Sequence, residues 1–243
     1  MRAEFLKLRS MPTPMWTAIT LVIFFLMGLA ACLIWHVGED NDALSAAIEF
    51  PLLIASLVIG SWLAGVEFGQ QTLRRVLSAD PRRTRLVLVK LAVLLIVVIG
   101  STFLLMGLGT ALYGLASAGK EFTVDYDEIP GQVAVMLVSN ATWAIAAFSL
   151  TLLTRSMAGG ITLSFAFLFV LDGLTSLLPK VGDYTLGVAL ADVDVAIRGD
   201  GDGEGFFEVS QTNDALVSVL VLAAWLAVFV AAGIIRTTRT EVK

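Results

Sequence analysis

Apolar and polar residues alternate along this chain in long blocks. Predominantly apolar runs fall at about 16–36, 50–66, 86–117, 131–153, 158–178 and 214–235, each close to or above the roughly 20 residues that a helix needs to cross the hydrocarbon core. The runs are continuous and lack the period-two alternation of barrel strands. They predict an all-α, polytopic membrane bundle of six transmembrane helices. The second run opens on Pro51, a residue that a first helical turn tolerates. Ahead of the first run, Met1, Phe5 and Leu8 recur at helical spacing within residues 1–15 and stop at Pro12-Thr13-Pro14. That pattern predicts a short amphipathic helix on the membrane surface, with a bare positive flank as the alternative.

Residues 179–213 are the longest connection. Leu186, Leu190, Val193 and Ile197 lie at spacings of four, three and four, as on a half-buried helix; a short strand at Val193, Val195 and Ile197 fits fewer positions. The Gly199–Gly205 run that follows carries Asp200, Asp202 and Glu204. These could gather calcium, but the anchoring glutamate of a calcium loop is missing and a solvated turn is the better reading.

Charge then orients the bundle. Cutting the chain at its apolar runs puts thirteen of the sixteen Lys and Arg residues on one side and sixteen of the twenty-one acidic residues on the other. By the positive-inside rule the basic side, which includes both termini, faces the cytoplasm. The net charge of −5 averages these two faces and says nothing about either. Cys32 is the one cysteine and His36 the one histidine, which excludes an intrachain disulfide and a Cys/His zinc site. The first run is too long for a signal-peptide core and no small-residue cleavage motif follows it.

The densest basic stretch follows the second run. On a helical wheel, Glu67–Ser78 places Phe68, Leu73, Val76 and Leu77 on one half and Glu67, Gln70, Gln71, Arg74 and Arg75 on the other, before Asp80-Pro81 ends the pattern. Such a helix suits the inner membrane surface, a groove on a cytosolic partner, or plain headgroup contact. The order Gly65-Val-Glu67-Phe-Gly-Gln-Gln71-Thr-Leu73-Arg-Arg75-Val-Leu77, then Pro81-Arg-Arg83-Thr-Arg85 and Lys90, resembles the permease subunits of ABC-2 type exporters. These carry a glutamate ending the second span, a G-T-L helix, a Pro/Arg turn and a lysine opening the third span. Gln71 stands where the pattern usually has glycine. Glu4-Phe-Leu-Lys7-Leu-Arg9-Ser10 is similar to the family's opening surface helix.

The resemblance implies a single permease domain over 1–243 in a bacterial plasma membrane, with residues 67–80 as a cytoplasmic coupling helix. Its contacts with the ATPase would be Glu67, Leu73, Arg74, Arg75 and Leu77. It implies as partners two copies of a cytosolic ATP-binding subunit, a second or sibling permease, and lipid, with no nucleic acid. No cofactor is expected on this chain; ATP and magnesium would sit on the partner, since no G-x-x-x-x-G-K-[ST] phosphate loop is present. Glu67 could pair with nearby Arg74 or Arg75, or with a basic residue of the partner.

Two residues inside the spans are candidates for a polar path. Asp172 is the acidic residue of the fifth run, an external gate or substrate contact unless it lies close enough to the surface to be hydrated. Asn140, in the fourth, is expected to hydrogen-bond across helices. A membrane enzyme would need clustered catalytic groups that are absent here. A secondary transporter would show internal repeats. A scaffold that recruits a cytosolic protein without transport remains the alternative function.

Overall fold

The computed structural model describes residues 6, 11–35, 41–69, 83–117, 125–176, 178, 181–199 and 212–239. Among the described residues there is no strand. In chain order the elements are α1 (Pro12–Trp35), α2 (Asn41–Gly69), α3 (Arg83–Ser117), α4 (Ile129–Thr154), α5 (Met157–Ala166), a π-helical turn (Phe167–Leu171), α6 (Asp172–Ser176), a 3-10 turn (Gly182–Tyr184), α7 (Leu186–Arg198) and α8 (Ala215–Arg239). Six stretches are long and apolar enough to cross a membrane: one in each of α1 to α4, one running from α5 through the π-turn into α6, and one in α8.

Pro12 and Pro14 open α1, where the first N–H groups have no partner inside the helix in any case. Of the expected surface helix, Leu6 is helical, while Met1, Phe5 and Leu8 lie outside the described residues. Pro51 does not open the second span: α2 begins at Asn41 and carries Pro51 in its interior. The reason is packing. Leu44, Ile48 and Leu52 recur one turn apart and are buried with Phe25, Leu105, Met106, Tyr113 and Met136. That stripe holds the helix together across the one backbone hydrogen bond that proline removes, a loss membrane helices accommodate.

The centre of the bundle is the α2–α4 pair. Of their spanning windows 61% and 67% are buried, against 17% to 33% for the other four. Gly60 permits their close approach, because a Cβ there would come within 2.5 Å of the Ala144 carbonyl oxygen. The α4–α5 turn is equally tight. Arg155 takes a left-handed conformation at φ 55°, its N–H donates to the Thr151 carbonyl at 2.9 Å, and the Ser156 hydroxyl caps α5 by accepting from Gly159 N. At 35 residues, α3 is about 52 Å long by the 1.5 Å rise, so it projects beyond the hydrocarbon core.

At the opposite end from this turn, α7 packs on α8 and α4. It starts at a Thr185 cap and stops at Gly199, whose φ is 79°. It is a helix, as the leucine spacing predicts, with its buried face rotated from the expected stripe. Leu186 and Val193 are buried, Ile197 is exposed, and Ala189, Asp192 and Val195 complete the face.

Candidate coupling site

The described residues that lead into and out of the basic segment are Gly69, the end of α2, and Arg83, the start of α3. In the last turn of α2, and two turns into α3, the chain buries an ion pair. Lys90 Nζ lies 3.1 Å from Glu67 Oε2, with the side chains only 4% and 3% exposed. The same ammonium donates to the Leu63 carbonyl at 2.8 Å. Leu63 precedes Glu67 by one helical turn, so a single cation clamps the last turn of α2 from α3.

An ion pair removed from water persists only where charge and hydrogen bonds are both matched, and the surroundings here are apolar. Trp62, Leu63, Val66, Val87, Leu94 and Phe148 are buried in one cluster around it. Met11 from the start of the chain, Met157 from the α4–α5 turn and Ile234 from α8 pack against that cluster. Gly65 fits beside it because a Cβ there would meet Met157 at 2.8 Å. Four parts of the chain therefore converge on the base of the 70–82 segment. A displacement of that base cannot occur without moving them.

Of the residues expected to form the coupling surface, Glu67 is thus placed, and among the described residues it meets Lys90 on α3; the expected Arg74 and Arg75 are not among them. Leu73, Arg74, Arg75 and Leu77 lie outside the described residues. Asn140 is fully buried, but its Nδ2 donates to the Met136 carbonyl of its own helix at 2.7 Å. The expected bond across helices is not among those described. Asp172 begins α6, directly after the π-turn; its side chain lies outside the described set. Its short helix contacts α7 and the 3-10 turn, so the structure does not bring it to Glu67. The π-turn itself is anchored by Phe167, whose ring meets Trp143 at 6.1 Å, Trp225 at 5.9 Å and Phe229 at 5.6 Å, all edge-on.

One polar centre was missed from sequence. Asp192 is fully buried and accepts from Thr212 N at 2.7 Å, from Asn213 N at 3.1 Å and from Ser218 Oγ at 2.8 Å. Asn213 Nδ2 adds a bond at 3.2 Å. The carboxylate thereby ties α7 to the N-terminus of α8, the end of a helix that favours negative charge. A signal was present: Leu186, Ala189, Asp192 and Val193 share one face, so a carboxylate fell on an apolar stripe ahead of a Thr212-Asn213 cap.

Among the described residues no geometry resembles a nucleotide site. Gly114-Leu-Ala-Ser-Ala-Gly-Lys120 comes near a phosphate loop, but Glu121 replaces the Ser/Thr that such a loop needs, and Gly114–Ser117 are the last turn of α3. No curated protein matches the chain. The family model described as ABC-2 family transporter protein matches residues 1–171, from the opening segment through the ion pair to the end of the π-turn, and the chain belongs to that family of multi-pass membrane proteins.

Proposed function

We propose that this chain is the permease subunit of an ATP-driven exporter of the plasma membrane. In this reading it forms the translocation path with a second permease and couples to two copies of a separate ATP-binding subunit through residues 67–80. The observation that carries the reading is the Glu67–Lys90 pair, buried at the base of the segment that holds Leu73, Arg74, Arg75 and Leu77. A lever needs a stiff mounting. Force applied to a surface loop dissipates unless both ends of the loop are fixed to spans, and here one ammonium fixes α2 to α3 where the segment leaves the bundle. Nucleotide-driven closure of the partner would then tilt α2 and, through the Gly60–Ala144 contact, α4. Such a two-state element is biased only if the partner binds the two tilts differently.

The test is co-purification from native membranes followed by reconstitution. A stoichiometric soluble protein with a phosphate loop is expected, and the permease should stimulate its ATP hydrolysis. Replacing Arg74 and Arg75 together by glutamate should cut that stimulation by about tenfold or more, the scale of losing an arginine anchor from an interface, with membrane insertion intact. Unchanged stimulation would remove the coupling role. Isolation with a partner that is not an ATPase would favour the scaffold.

A further inference from the structure

Toward the acidic end of the bundle, α2, α3 and α4 share one buried cluster, and their close contacts fix its register. A Cβ on Gly60 would come within 2.5 Å of the Ala144 carbonyl oxygen, and one on Gly65 would lie 3.0 Å from Thr151 Cγ2, so α2 and α4 run in the same direction. Carried back along both helices, that register sets Ile48 level with Gln132. From α3, a Cβ on Gly109 would meet Ile48 Cδ1 at 2.8 Å, which brings the adjacent Thr110 to the same level. One turn deeper, Leu52, Leu105 and Met136 meet in the cluster. Asn140 lies a further turn along α4.

This seam holds polar atoms that the protein does not satisfy. Gln132, Met136 and Asn140 recur one turn apart on α4 and are 3%, 0% and 0% exposed. Gln132 Oε1, Asn140 Oδ1 and, from α3, Thr110 Oγ1 are buried atoms without a hydrogen-bond partner. The Asn140 amide is oriented by its own helix. Its Nδ2 donates to the Met136 carbonyl at 2.7 Å, and the oxygen is the atom left over. A polar atom withdrawn from water without a partner is costly, and these three, on two packed helices, share one remedy.

We propose that the α3–α4 seam binds internal water, at one site between Thr110 Oγ1 and Gln132 Oε1 and at a second on Asn140 Oδ1. Water fits this set of atoms. It donates to an amide oxygen and exchanges a hydrogen bond of either sense with a hydroxyl. A buried water takes about 2–4 polar partners. The first site offers two side chains from different helices. At the second, the Met136 carbonyl lies beside the Asn140 amide and has a further lone pair to accept with. A metal ion does not fit, since no group of three His, Cys, Asp or Glu side chains that could hold one occurs among the described residues. The eight residues from Gln132 to Asn140 span about 12 Å, so hydration extends from the acidic end to near the middle of α4. None of the three atoms bonds to the facing helix. The helices can therefore part at these atoms without losing a direct hydrogen bond, which suits a seam that opens. The water sites belong to the bundle whether or not the chain couples to an ATPase.

Hydroxyl-radical footprinting by X-ray radiolysis of the full chain in lipid nanodiscs reads the proposal directly, because the radicals form from water where it sits and methionine oxidises readily. Two methionines are compared. Met136 is buried in the seam, whereas Met27 is 62% exposed on α1, inside the first span. Wild type should oxidise Met136 about tenfold faster than Met27, reversing their order of exposure, since bound water lies beside the first and hydrocarbon beside the second. Gln132→Leu combined with Asn140→Leu should bring Met136 down to the rate of Met27, because an apolar lining stays dry. Thr110→Val, nearly isosteric, removes one partner of the first water and should slow Met136 by about threefold; it decides the matter if the double variant does not assemble. Equal rates at Met136 and Met27 in wild type overturn the proposal. So does a Met136 rate that these variants leave unchanged, since water would then arrive by opening of the helices and not from bound sites.

Discussion

The two buried carboxylates among the described residues solve one problem in opposite ways. Glu67, at the basic end, is matched by a full positive charge carried on another helix, Lys90 at 3.1 Å. Asp192, at the acidic end, is matched by neutral donors: two main-chain N–H groups, an amide and a hydroxyl, all within residues 212–218. The first arrangement joins two spans across a segment of chain. It keeps its strength only while α2 and α3 hold their relative position, because Coulomb attraction in a poorly polarisable interior falls with distance and each ion alone is costly there. The second is a helix cap made by a residue on a neighbouring element. Its donors come from a single stretch of backbone, so it behaves as a local staple. On the proposed coupling role, a site that registers relative motion of helices needs the first design, whereas the second holds its own end together. The family match covers the first and ends at residue 171, before the second.

Breaking the long-range pair should produce the largest effect. Lys90→Met removes the ammonium that lies 3.1 Å from buried Glu67 and is expected to destabilise the protein by about 3–5 kcal/mol, read as a lowered unfolding midpoint in a fixed detergent. Combining it with Glu67→Gln should recover most of that loss, since a neutral pair carries no uncompensated charge. A recovery without return of ATPase stimulation would assign the pair to coupling as well as to stability. If Lys90→Met alone unfolds like wild type, the buried pair is not the clamp.

Gly60→Ala comes next. The added methyl meets a main-chain carbonyl that cannot rotate away, so a cost near the upper end of overpacking, about 3 kcal/mol, is expected. It separates the two sites usefully. Hydrogen exchange should accelerate around residues 63–67, which ride on α2, and stay at the wild-type rate at 212–218. Acceleration at both ends would show that the acidic end is not local after all.

Asp192→Ala should cost about 2 kcal/mol, the upper range for loss of a helix cap, and, on the proposed function, should leave stimulation of a partner ATPase intact. Loss of stimulation together with this modest destabilisation would contradict the division of labour. Ser218→Ala removes one of the four bonds to Asp192 and is expected to cost only about 1 kcal/mol. A larger loss would show that the hydroxyl, and not the main-chain donors, holds the carboxylate.

Much of this was legible in the chain. Spans are visible because a helix of roughly twenty apolar residues must be continuous in sequence, and α7 was visible because Leu186, Leu190 and Val193 repeat with a helix's own period. Pro51 misled for a physical reason. Whether it starts or merely interrupts a helix depends on what the flanking stripe packs against, and for Leu44, Ile48 and Leu52 that partner comes from α1, α3 and α4. The candidate site was half legible. Glu67 and Lys90 were both noticed, each as one mark of a family pattern, but they stand twenty-three positions apart and no local periodicity pairs them.

The sequence by itself therefore determined the number of spans, the polarity of the two ends and the absence of a phosphate loop. Each is a property of transfer between water and lipid, or of local residue order, and each can be summed along the chain. Only the tertiary structure decided that α2 and α4 form the axis, that Glu67 meets Lys90, and that Asp192 caps α8. Those are contacts between elements distant in sequence. Their strength comes from burial and distance, quantities that exist only once the helices have packed.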